Sequence, residues 1–299
     1  MAMIRNSITG KIALVVALLS TSFLPRPALA DTAEEPLQAT PVGIDSSGEP
    51  LNAPASDDQP ESSDDSGYTL PNIKGDTPSS IIGDDGRVHL TDTTTFPNSA
   101  VVYISHEDQP HCTGWMISKD TLVTAGHCLY NPKKKAWYSG LQFSPGANGA
   151  ERPFDTAQAV ERWSDAKWVS DGDSRLDWGV VKLDRSVGDE TGWFGLMWRQ
   201  AGYDGDPTEL HGYPGDKPAG ELWGMAGPVK TSQPNQLCYY TDTIGGQSGS
   251  PVYLQNRFFA IAIHAYGVGK RDSNDLCPAE YNAGTRISES LYSVILNLR

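Results

Sequence analysis

Between residues 101 and 264 the apolar positions fall into short runs, and that pattern limits the possible folds more than any other feature. The runs span 101–106, 112–117, 121–125, 179–183, 209–213, 237–241, 251–254 and 258–264. Runs this short, rich in β-branched and aromatic residues and bounded by turn signals, predict strands. Gly-Pro and Asn-Pro pairs punctuate several of the gaps. A helical period appears only at the end, where Leu291, Val294, Ile295 and Leu298 recur at i, i+3, i+4 and i+7 behind the capping candidate Ser288. Many short strands with one terminal helix predict an all-β barrel or sandwich. No internal repeat interrupts that reading.

The N-terminus is of different material. Arg5 and Lys11 precede an apolar run from Ile12 to Leu24, followed by Ala28-Leu29-Ala30. A positive start, a short apolar run and a small-x-small end predict a secretory signal peptide over 1–30. The run is shorter than the ~20 residues needed to span a bilayer, so no membrane association is expected once it is removed. Residues 31–79 hold eleven acids against one base, Lys74, and are rich in Pro and Ser. Such a stretch cannot bury enough apolar area to offset its ordering entropy, so it is expected to be an acidic propeptide, disordered alone. The folded domain is then 80–299. The net charge of -14 argues against a nucleic-acid partner, which needs clustered Lys and Arg. Export permits disulfides, and Cys112, Cys128, Cys238 and Cys277 allow three pairings. No pair has the C-x-x-C spacing of a zinc site, so neither metal nor cofactor is expected.

Three motifs carry chemistry. In Thr124-Ala125-Gly126-His127-Cys128, His127 offers an imidazole that can take a proton from a hydroxyl and return it to a leaving amine. A Cys112–Cys128 bridge would pin that loop. His89, His106, His111 and His211 read as surface or core residues. In Arg175-Leu176-Asp177-Trp178-Gly179, Asp177 heads an apolar strand and can orient an imidazole. Asp171 and Asp173 compete for that place from a polar loop; they could also hold a structural ion, though a solvated loop is the plainer reading. The strongest motif is Gly245-Gly246-Gln247-Ser248-Gly249-Ser250-Pro251. It offers an exposed Ser248 hydroxyl, with the N–H groups of Gly246 and Ser248 converging on a developing oxyanion. The esterase elbow Gly-x-Ser-x-Gly does not fit, because Ser250 stands at its last Gly, and the order of residues differs as well.

His, Asp and Ser follow in that order, 50 and 71 residues apart, and here the chain resembles the chymotrypsin-like proteases. The phrases 112–117, 124–128, 212–217 and 245–252 look like those of bacterial glutamyl endopeptidases. The resemblance covers 80–299. It implies two antiparallel six-stranded barrels, about 80–195 and 196–299, with His127 and Asp177 from the first and Ser248 from the second. It also implies that Thr243 and His264 line the pocket for a Glu (or Asp) before the scissile bond, and that the 265–267 backbone, Ala265, Tyr266 and Gly267, pairs with substrate. A bond between Cys238 and Cys277 follows if Cys112 pairs with Cys128. Ser80-Ile81-Ile82-Gly83 matches the family's maturation sequence, which makes Ser80 the expected new N-terminus, lying near the pocket. Two departures stand out. Gln247 precedes the serine where animal trypsin-like enzymes have Asp, and Asp242 sits where trypsin-like enzymes keep the acid that binds Lys or Arg. Cleavage after Lys or Arg is therefore the first alternative, weakened by Ile244 and His264, and Asp242 is expected to point out of the pocket. A non-catalytic binding module is the second. Partners are expected to be protein or peptide substrates, and the secreted form a monomer.

Overall fold

The computed structural model describes residues 35–54, 85–255, 257–268 and 272–299. Two mainly antiparallel sheets carry the fold. From edge to edge the first runs Pro50–Leu51, Pro41–Asp45, Ala159–Asp165, Gly179–Leu183, Thr121–Thr124, Gln109–Met116, Val101–His106 and Leu141–Pro145. A bridge between Phe143 and Ala157 brings the last strand back toward Ala159–Asp165 and curls six strands round a core. In the second sheet Pro207–Gly212, Trp223–Ser232, Gln236–Tyr239, Asn282–Arg286, Phe259–Tyr266 and Pro251–Leu254 pair in a closed ring. Closure removes the exposed edges that an open sheet would leave. The expectation of two barrels and a terminal helix therefore holds.

Burial explains the pattern that predicted the strands. In Gly179–Leu183 all but Lys182 are buried, because this strand is covered on both faces. Trp115, Phe143, Trp178, Phe194 and Tyr253 fill the interior, and each large apolar side chain removed from water contributes on the order of 1.5–3 kcal/mol. The helix Glu289–Leu298 is capped by Ser288, whose hydroxyl accepts from the Leu291 N–H. Its buried face is Leu291, Tyr292, Ile295 and Leu298, with Val294 only half-buried. Tyr292 rotates that face from the one the periodicity predicted. Both disulfides form as expected, Cys112–Cys128 and Cys238–Cys277.

The sequence patterns missed the strands Leu141–Pro145, Ala159–Asp165, Trp223–Ser232 and Asn282–Arg286. Charged, Gly or Pro residues interrupt the apolar signal in most of them, and pairing inside a closed barrel outweighs weak propensity. One pairing crosses the expected boundary between the barrels. Val88–His89, placed by sequence in the first barrel, pairs with Trp223 and Gly224 of the second sheet.

Residues 35–54 fall within the stretch expected to be an acidic propeptide, disordered alone. Here Pro41–Asp45 pairs antiparallel with Ala159–Asp165, from Pro41 opposite Asp165 to Asp45 opposite Glu161. A strand added to a sheet edge is held by main-chain hydrogen bonds, so it needs few apolar side chains of its own. Residues 1–30, expected to be a signal peptide, the rest of the expected propeptide (31–34 and 55–79) and Ser80 lie outside the described residues.

Candidate active site

His127 stands in the one-turn 3-10 helix Gly126–Cys128 that follows the strand Thr121–Thr124. Gly126 lets this turn press against its surroundings: a Cβ there would lie 2.8 Å from Ser164 Oγ and 2.9 Å from Asp177 Oδ1. Asp177 ends the 3-10 turn Ser174–Leu176, just before the strand Gly179–Leu183. Its carboxylate is fully buried and takes three donors. Oδ1 accepts from the His127 backbone N–H at 2.7 Å, and Oδ2 lies 2.7 Å from His127 Nδ1. The Tyr266 hydroxyl donates to Oδ2 at 2.5 Å. A buried carboxylate is tolerated when so satisfied.

This fork fixes both the position and the tautomer of the imidazole, because a carboxylate at Nδ1 places the proton there and turns Nε2 into the basic nitrogen. Burial lowers the His127 pKa, but the charge and hydrogen bond of Asp177 outweigh it, so the net shift is upward from the usual 6.5. The Tyr266 ring lies against the imidazole, 6.0 Å between centroids and 29° between planes.

The loop carrying Ser248 is tied to the same strand as the histidine turn. The Thr113 N–H donates to Ser248 O at 2.8 Å, and Thr113 Oγ1 donates to Gly246 O at 2.9 Å. Neighbouring Cys112 bonds Cys128, beside His127. One strand, Gln109–Met116, therefore sets both pieces. Gly249 N donates to His264 O at 2.6 Å, which fixes the loop to the second barrel. Only glycine fits at 249: φ is +89°, and a Cβ would meet Thr113 O at 2.1 Å. Gly246 has φ +101°, and a Cβ there would meet Tyr213 O at 2.6 Å. Among the described residues the N–H groups of Gly246 and Ser248 have no protein acceptor. Ser248 Oγ lies 3.4 Å from Ala265 O, a long contact.

Thr243 and His264 present two donors near this loop. Thr243 Oγ1 is buried and has no hydrogen-bond partner among the described residues. His264 is 2% exposed, with Nδ1 2.7 Å from the Tyr239 hydroxyl. Gly284 lies opposite His264, where a Cβ would come 2.9 Å from that hydroxyl. Asp242 is exposed, and its Oδ2 accepts from the Gly86 N–H at 3.4 Å. Arg87 is buried between Asp85 and Asp216, with Lys217 also on Asp85. These partners hold the carboxyls of Asp85 and Asp216 below their usual range. Residues 85–87 thus lie along the 215–217 turn, whose Gly215 N–H donates to Gly245 O. Of the competing acids, Asp173 is paired with Arg175 and Asp171 is an exposed helix end.

Sequence reasoning missed the hydroxyls of Tyr266 and Tyr239. Tyr266 reaches Asp177 across 89 residues of chain, and no local pattern signals such a contact.

The family model described as Trypsin matches residues 87–289. Glutamyl endopeptidase of Bacillus licheniformis is 36% identical over 225 residues, 73% of this chain and 68% of that protein. A Bacillus subtilis protein named extracellular metalloprotease is 35% identical, over 75% of this chain and 71% of its own. A solved Glu endopeptidase structure, in complex with MPD, superposes with a TM-score of 0.65 at 27% identity, covering 73% of this chain and 99% of that one. Among the described residues no donor set fits the metalloprotease name. Among the described residues the grouping close enough to share a metal ion is Cys112, His127 and Cys128, and its two sulfurs are bonded to each other, so they offer no thiolate. The chain belongs to the trypsin family and is a serine endopeptidase of the glutamyl endopeptidase type.

Proposed function

We propose that this protein is a secreted endopeptidase that cleaves peptide bonds after Glu, with His127, Asp177 and Ser248 as its catalytic triad. Ser248 Oγ attacks the scissile carbonyl carbon while His127 Nε2 takes its proton. Asp177 stabilises the imidazolium that forms. The carbonyl oxygen, now negative, accepts from the N–H groups of Gly246 and Ser248. His127 then gives the proton to the leaving amine, and the C–N bond breaks to leave an acyl-Ser248 ester. Water, activated by the same imidazole, hydrolyses that ester and restores the enzyme. The observation that carries this reading is the double grip of Asp177 on His127, backbone and ring together.

The preference for Glu rests on the names of the relatives and on two donors. The Thr243 hydroxyl, without a partner among the described residues, and the His264 imidazole, braced by Tyr239, suit a carboxylate. Substrate backbone would pair along Ala265, Tyr266 and Gly267. Asp242 does not favour the Lys/Arg alternative, since its carboxylate is exposed and engaged by Gly86. Secretion is supported by the N-terminal pattern and by a relative named as extracellular. Ser80 as the mature N-terminus would free an amine upstream of residues 85–87, which lie along the 215–217 turn.

Labelling with diisopropyl fluorophosphate tests the triad. The expected result is a single adduct on the peptide containing Ser248, lost in His127→Ala. An adduct on another serine, or turnover without any adduct at Ser248, would overturn the assignment.

A further inference from the structure

The segment 35–54 was expected to leave with the propeptide, yet the structure makes it part of the body that begins at Glu35. Its strand Pro41–Asp45 pairs through five residues with Ala159–Asp165. The contacts reach further than one sheet edge. Thr40 N–H donates to Asp165 Oδ2 at 2.9 Å, and Ala166 N–H donates to Thr40 O at 2.9 Å. Ala39 N–H donates to Ser290 Oγ on the terminal helix at 2.8 Å, and Leu37 N–H donates to Asn235 Oδ1, at the edge of the second barrel, at 2.9 Å. Ala39 and Leu51 pack against the main core. The segment therefore clips the first barrel to elements of the second.

Its fit is specific at Gly43. A Cβ at that position would lie 2.5 Å from the Trp163 ring and 2.8 Å from Arg162 O. Asp165, fully buried, also takes the Lys167 N–H at 2.8 Å and Trp178 Nε1 at 3.3 Å. Releasing the segment would take the Thr40 donor from that buried carboxylate and leave the main chain of Ala159–Asp165 unpaired along the side where Pro41–Asp45 lies. Among the described residues, the partners of the segment are those of the barrel side and the terminal helix, not His127, Asp177 or Ser248.

We propose that residues 35–54 stay bound as a noncovalent strand after the chain is cut between them and the protease domain, so that the working enzyme is a two-chain particle. This rests on the processing included in the proposed function, but not on the position of the cut or on specificity. The test uses the full chain carrying Ser248→Ala, to stop self-digestion, with residues 62–68 replaced by the recognition sequence of a site-specific protease. After complete cleavage, native size exclusion is followed by intact-mass analysis. The expected result is one peak containing both fragments. A protease-domain peak without the 35–54 fragment would overturn the proposal. Gly43→Leu is expected to release the fragment. The milder pair Asn235→Ala with Ser290→Ala is expected to speed release at least tenfold on dilution; release at the parent rate would count against the proposal. Because the cut is made by an added protease and Ser248 is absent, a wrong assignment of Ser80 or of substrate leaves this readout unchanged.

Discussion

Replacing Tyr266 by Phe removes one oxygen and keeps the ring that lies 6.0 Å from the His127 imidazole. What disappears is a 2.5 Å hydrogen bond to Asp177 Oδ2, the same oxygen that holds His127 Nδ1. The carboxylate is fully buried, so solvent has little access to replace the lost donor. Hydrogen bonds to charged groups contribute about 1.5–3 kcal/mol. That loss leaves more negative charge on the oxygen facing the imidazole, which favours the imidazolium. If His127 senses about a third of 2 kcal/mol, its pKa rises by roughly half a unit, at 1.36 kcal/mol per unit. The assay is the pH dependence of kcat/KM on a Glu peptide. The acidic limb is expected to move to higher pH by about that amount, while the plateau falls up to about tenfold as the imidazole loses orientation. An acidic limb that stays put, or moves to lower pH, would refute the reasoning. A fall in Tm alone would make Tyr266 a packing residue.

The wild-type enzyme should itself lose activity as pH falls through a value above 6.5, because the proposed base, His127, must be neutral and Asp177 raises its pKa. The sign for stability is opposite: a raised folded pKa gives stabilisation that is complete in acid and lost as pH rises through that value, so Tm and activity should move in opposite directions across this window. Thr243→Val should cut discrimination of Glu over Gln by roughly tenfold or more in kcat/KM, the equivalent of one hydrogen bond to a charge; unchanged discrimination would remove Thr243 from the pocket. Gly249→Ala should abolish turnover and cost at least about 2 kcal/mol in denaturant unfolding, since φ is +89° and the added Cβ would meet Thr113 O at 2.1 Å. A fully active Gly249→Ala enzyme would show that the loop around Ser248 is less constrained than described.

Much of the architecture could be read before folding was seen, because buried strands write themselves as apolar runs: 101–106, 179–183 and 251–254 were predicted to the residue. The loops bearing the proposed triad of His127, Asp177 and Ser248 also stand out in the sequence, since each role needs a particular residue type in a particular loop. Three things were not. Pro41–Asp45 is held by backbone pairing at an edge, which leaves almost no trace in side-chain pattern. Trp223–Ser232 includes two Gly and a Pro, yet sits in a closed barrel where its neighbours supply the stability. The hydroxyls of Tyr239 and Tyr266 act on residues distant in sequence, His264 and Asp177, and a tyrosine on a strand reads equally well as packing.

The most direct test of the central claim is kinetics on peptides that differ only in the residue before the scissile bond, Glu, Gln, Asp, Arg or Phe, using processed wild type and Ser248→Ala side by side. Wild type is expected to turn over the Glu peptide with the highest kcat/KM, and Ser248→Ala to lose about 10³-fold or more. Preference for Arg would contradict the pocket proposed at Thr243 and His264. Undiminished turnover by Ser248→Ala would contradict the triad itself.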